Sequence, residues 1–202
     1  MSGNDVQARY IAPGASDDNG ISAAATLSGA GNLTIGGALA DGGSVTLDDA
    51  RNVIITSAGD DRGDTFTVTG TDEAGNAQTE AITGANAGVA TGTSYFTTIT
   101  QIACSGATTG DVEAGTGTAV AAKVTVNRVR LRGLQYVGNT TGGAVEVRTT
   151  GATGSVIYKF DANNIDDTVY PDIPDGGIVG SVGAYVVYTQ TNLVSLTIFY
   201  EG

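Results

Sequence analysis

The sequence predicts an all-β protein made of two small antiparallel β-sandwich domains, immunoglobulin-like or jelly-roll-like. Short apolar runs alternate with polar residues at period two, and 31 glycines among 202 residues supply tight turns. A heavy Gly and Thr content opposes any helix of useful length. Hydrophobic residues make up 41% of the chain but aromatic ones only 6%, so the cores should be thin, as where two sheets pack about 10 Å apart.

Taken in order, runs at 33–35 and 44–47 read as the first strands, and residues 53–56 as the next, ending at a turn over 58–63. In Thr65-Phe66-Thr67-Val68-Thr69 the two apolar side chains take one face and the threonines the other. The loop 71–76 closes a hairpin onto 77–82, and a further strand spans 95–104. The second half reads as strands at 124–134, 144–148, 155–160, 184–188 and 195–200. The last of these, Leu196-Thr197-Ile198-Phe199-Tyr200, is apolar on both faces and should be central in a sheet or lie at an interface.

Charge divides the chain unevenly. Residues 1–122 carry three basic residues against fourteen acids, whereas 123–202 carry six against seven. This places a domain boundary at 122/123, with the Ala/Gly/Thr stretch 115–122 as a linker or edge strand. Residues 1–49, rich in Gly, Ser, Ala and Asp, read as part of the first sandwich or as an extended arm. A second domain of eighty residues is small enough to need docking or oligomerisation.

The chemistry-bearing side chains are few. There is no His and no Trp, and the scattered acids and two Lys form no acid–base constellation, so the expectation is a protein that is not an enzyme. No cofactor motif occurs. Cys104 stands alone in an alternating apolar run and reads as a buried, inert thiol. The acidic clusters Asp17-Asp18, Asp48-Asp49 and Asp60-Asp61-Arg62-Gly63-Asp64 offer hard oxygen ligands but lack the spacing of a calcium loop. Turn chemistry explains them, and it equally explains the Arg62-Gly63-Asp64 tripeptide that integrins read in exposed loops.

A net charge of −12 argues against nucleic acid as a partner, because phosphates would be repelled. No apolar run approaches the roughly 20 residues that span a bilayer, and the opening MSGNDVQARY has no signal-peptide pattern. A soluble protein made in a cytoplasm is therefore expected. Arg128, Arg130 and Arg132, spaced by two, would share one strand face, where they repel unless paired. They read as a docking stripe for an acidic partner surface, with Phe199 and Tyr200 in an interface or core role. Tyrosines near a tip could anchor an interface or stack on sugars.

Two stretches resemble virion proteins of tailed bacteriophages. One runs over about 50–118, through ARNVIITSAG, TFTVTGTDEAGNAQTEAITG and SYFTTITQIACSGATTGDVEAGTGT; the other comprises IPDGGI, AYVVYTQ and VSLTIFY over 173–200. The resemblance implies a head decoration, or cement, protein on the outer capsid surface. Its partners would then be the major capsid protein and further copies of itself, with a trimer favoured. It also admits a tail- or fibre-associated adaptor, or an exposed glycan- or receptor-binding module, and it brings no active site with it.

Overall fold

The structure, a computed structural model, describes residues 5–162 and 167–202, and among them there is no α-helix. The early strands are β1 (Gln7–Ile11), β2 (Asp17–Ala25), β3 (Gly31–Asn32), β4 (Ala40–Asp41) and β5 (Ser44–Asp60). There follow β6 (Thr65–Thr71), β7 (Ala77–Thr83), β8 (Asn86–Thr91), β9 (Phe96–Cys104), β10 (Val112–Thr125) and β11 (Val129–Gly138). The chain closes with β12 (Gly143–Arg148), β13 (Val156–Ala162), β14 (Thr168–Val169), β15 (Ile178–Gly180), β16 (Ala184–Thr189) and β17 (Leu193–Glu201). Every registered pairing is antiparallel. The all-β class is thus as the sequence predicts.

Two compact units form, and they differ from the expected split at 122/123. An inserted unit comprises residues 16–118, and a terminal unit joins 119–202 to the described part of 1–15. The boundary falls inside β10, so the stretch 115–122 is strand interior rather than linker. Its glycines answer to close packing. A Cβ on Gly115 would collide with the Asp17 carbonyl oxygen, and one on Gly117 would sit 2.5 Å from the Asn52 side-chain amide. The proposed arm is also resolved: residues 17–25, 31–32 and 40–41 pair within the inserted unit, and only β1 reaches the terminal one.

In the inserted unit the strand order is β10–β5–β9–β6–β7, with β2 on β10, β3 on β9, and β4 and β8 on β5. The sequence reads 44–47 and 53–56 as separate strands, but β5 runs unbroken through both. Its first half pairs with β9 and its second with β8, with a register shift between Thr46 and Arg51. One strand therefore serves two stretches of ladder around a single core of Ile21, Val53, Ile55, Phe66, Phe96, Ile99 and Ile102 among others. Residues 33–35 are not a strand; Leu33 is nonetheless buried in that core.

The terminal unit is a two-sheet sandwich. One sheet has the order β1–β17–β11, with β14 and β15 both on the far side of β11; the other is β10–β16–β12–β13. Ile11, Leu131, Leu134, Tyr136, Leu196 and Ile198 from the first sheet meet Val120, Val145, Val147, Val186 and Tyr188 from the second. Tyr136 and Phe160 meet edge-on across the layers with ring centroids 5.5 Å apart. As expected from its doubly apolar sequence, β17 is central, flanked by β1 and β11.

Candidate docking surface

Alternation along β17 sends Leu196, Ile198 and Tyr200 toward the core, where Tyr200 packs against the buried cluster. Phe199 therefore lies on the opposite, outer face of its sheet. Its cross-strand neighbours there are Ala8 on β1 and Gly133 on β11, and a Cβ on Gly133 would lie 3.5 Å from the Phe199 ring. Tyr10 stands one pair further along the same face, opposite Thr197, and is 62% exposed. Tyr170 follows β14 and is 68% exposed; its hydroxyl oxygen accepts a hydrogen bond of 2.8 Å from the Gln135 amide on β11. Exposed Val179, paired with Arg130, extends the same surface through β15.

Of the residues proposed for docking, then, Phe199 lies on this open face and Tyr200 belongs to the core. The arginines also part company. Leu131 pairs with Tyr200 and Gly133 with Phe199, so Arg132 occupies a β-bulge with no partner of its own in the ladder. Arg128 precedes β11. An even three-residue stripe on one strand face does not form, because the bulge breaks the period of two.

Two of the arginines hold their own unit together. The Arg132 guanidinium forms an ion pair of 2.9 Å with the Glu201 carboxylate and donates to the Asp175 carbonyl oxygen at 3.3 Å. Arg130 donates to the Gly176 carbonyl oxygen, and the Gly177 amide closes the same loop by donating to the Pro174 carbonyl at 2.6 Å. These bonds fasten the Pro174–Gly177 loop to the bulged strand. Arg128 is exposed and, with Val129, Arg130, Glu201 and Gly202, lines a shallow depression of about 150 Å³. It is the arginine best placed to meet an acidic partner.

Charge separates between the units by the same margin as in the sequence division, because Asp5 and Arg9 move to the terminal unit together. The inserted unit holds two basic residues against thirteen acids, net −11, while the terminal unit holds seven against eight, net −1. The acids mostly act as turn residues. Asp72 accepts hydrogen bonds from the backbone amides of Ala74 and Asn76 at 2.9 and 2.8 Å. Asp61 is buried and accepts from the Thr109 amide at 2.6 Å. In the Arg-Gly-Asp tripeptide, Arg62 forks onto Asp60 through two bonds of 2.8 Å, and Asp64 accepts from the Ser105 hydroxyl at 3.3 Å. The tripeptide is thus engaged on its own loop. Among the described residues no three Cys, Asp or Glu side chains converge as metal ligands.

Cys104 is a buried free thiol in the inserted core, as expected. Burial pushes its pKa above the ordinary value, and the nearby Asp64 and Asp61 carboxylates push the same way. That environment opposes the nucleophilic thiolate.

The sequence reading missed Tyr10 and Tyr170 as members of the surface. The alternation Arg9-Tyr10-Ile11 contains the signal for Tyr10, once Ile11 is known to face a core. Tyr170 carries no such signal, since its position depends on a loop hydrogen bond to Gln135. No family model, no curated protein and no solved structure matches this chain.

Proposed function

We propose that this chain is a non-catalytic virion component of the head-decoration type. It would bind the outer surface of a capsid built by the major capsid protein and reinforce the shell by bridging neighbouring subunits. The observation that carries the reading is the open sheet face of the terminal unit, which presents Phe199, Tyr10 and Tyr170, with Arg128 exposed where β11 begins, near Glu201. Aromatic and arginine side chains are the ones enriched where protein surfaces meet, and aromatic anchors on a rigid sheet lose little conformational freedom on docking. The resemblance of 50–118 and 173–200 to phage virion proteins supports the same assignment.

In this mechanism the near-neutral terminal unit faces the shell, and the strongly acidic inserted unit maintains solubility at high surface density. Each copy adds interface across a seam between capsid subunits, and several weak contacts per oligomer reinforce one another through effective concentration.

Copy number per purified particle, measured by quantitative mass spectrometry against the major capsid protein, tests the assignment. A simple fraction of the capsid copy number is expected. A handful of copies would transfer the protein to the tail vertex, and absence from the particle would remove the assignment.

A further inference from the structure

β1 is the first strand of the chain, yet it completes a sandwich otherwise made entirely of residues 119–202. In the sequence, an inserted unit with a core of its own separates β1 from the rest of that sandwich. Among the described residues β1 has one neighbour, β17, to which it is registered from Gln7–Tyr200 to Ile11–Leu196. Its first four residues are half-buried or exposed, and Ile11 alone is fully buried, at 1% exposure, in the sandwich core. Ile11 in the core, the half-buried Arg9 on the same inward face and one ladder edge therefore hold the strand.

Removing β1 would bare the edge of β17, the most apolar strand of its sheet, and open the slot that Ile11 fills. An uncovered apolar edge is a template for another strand. The strand of identical sequence from a second copy fits both the edge and the slot, with every pairing conserved. Energies of the two arrangements then differ mainly through chain connectivity.

Connectivity also limits the exchange. Asp17 is paired with Thr116 at the base of the inserted unit, and its amide donates to the Thr116 hydroxyl at 3.3 Å. Residues 12–16, including Pro13 and Gly14, form the only connection from that point to β1. Five extended residues reach at most about 17 Å. The recipient β17 must therefore belong to a copy in direct contact, which makes crowding on a surface the condition that favours exchange. Short connections of this kind give effective concentrations on the order of millimolar, the density that neighbouring copies must match.

We propose that β1 is an exchangeable strap: in assemblies of this protein it leaves its own β17 and pairs with the β17 of an adjacent copy, Ile11 filling that copy's slot. The proposal needs only a second copy and stands apart from the identity of the shell.

Two single variants of the full chain, Tyr10→Cys and Thr197→Cys, both in a Cys104→Ala background, test it. Positions 10 and 197 face each other on the outer side of the β1–β17 pair. Within either variant the opposing residue is not cysteine, so a disulfide between 10 and 197 in an oxidised mixture joins two chains. Its excess over the 10–10 and 197–197 links that chance encounters also give reports a strand from one chain on the edge of another. We expect this linkage by peptide mass spectrometry, increasing with protein concentration. Only 10–10 and 197–197 links, or none, at concentrations above the millimolar range would overturn the proposal. A Tyr10→Cys/Thr197→Cys chain oxidised while dilute closes its own strap; it should then remain monomeric on concentration, and oligomers like those of the wild type would equally overturn it. Failure here leaves the copy-number assignment untouched, because docking through the open face requires no exchange.

Discussion

Asp60 and Arg62 illustrate how much of the acidic character of this chain is local turn chemistry. Both oxygens of Asp60 are engaged by the Arg62 guanidinium, which holds the carboxyl at about 2, below the usual aspartate range. The folded value lies below the unfolded one, so the interaction favours the fold above about pH 4 and this contribution is lost as pH falls toward 2. Both side chains are well exposed, so the effect on global stability is small. The titration itself is the sharper observable. An NMR titration of the Asp60 carboxyl should give a midpoint near 2 in the wild type, and Arg62→Ala should return it to roughly 3.9. An unchanged midpoint in the variant would show that the fork does not persist in solution. The same fork explains why the Arg-Gly-Asp tripeptide is a poor candidate for adhesion: its arginine is occupied by its own turn.

At the scale of the element, β10 separates what the sequence shows from what it conceals. The period-two run at 65–69 corresponds to β6, because one-sided burial imprints alternation on the residues themselves, and the runs at 77–82 and 184–188 correspond to β7 and β16. The run GTGTAVAA lacks that imprint, since β10 is buried through Ala114–Gly117 and again through Val120–Ala122, on both faces. A strand of small residues pressed between neighbours has the composition of a linker. Its long-range partners, Asp17 and Asn52, distinguish the two, and no local pattern reveals them. For the same reason the arginine stripe was legible as residues but not as geometry: the bulge at Arg132 and the loop carbonyls that bind Arg130 and Arg132 arise from pairing with β17 and from the distant Pro174–Gly177 loop. Gly115→Ala tests the assignment of β10. A methyl there meets the Asp17 backbone rather than a flexible side chain, so a loss of about 1–3 kcal/mol or more is expected in urea unfolding. A linker would tolerate the change without loss.

At the scale of the molecule, the two units have separate cores and are reported by different chromophores. Seven of the eight tyrosines fall in the terminal unit, and only Tyr95 lies in the inserted one. In a chain without tryptophan, the near-ultraviolet tyrosine signal therefore follows the terminal sandwich almost alone. Ile11 makes this separation useful. It is supplied by a strand that precedes the inserted unit, yet it is buried with Leu131, Leu134 and Leu196 in the terminal core. Ile11→Ala removes buried methyl and methylene groups and leaves a cavity, a change that costs about 2–5 kcal/mol where neighbours do not collapse. An edge strand can shift to fill part of the void, which favours the lower half of that range. The tyrosine-detected transition should move to lower denaturant concentration by a corresponding amount, while exchange protection of amides in β6 and β9, in the inserted core, should be unaltered. If both signals moved together, the units would unfold as one cooperative body and β1 would not be a separable support. If neither moved, Ile11 would contribute little to the sandwich, and the slot required for strand exchange would lack its anchor.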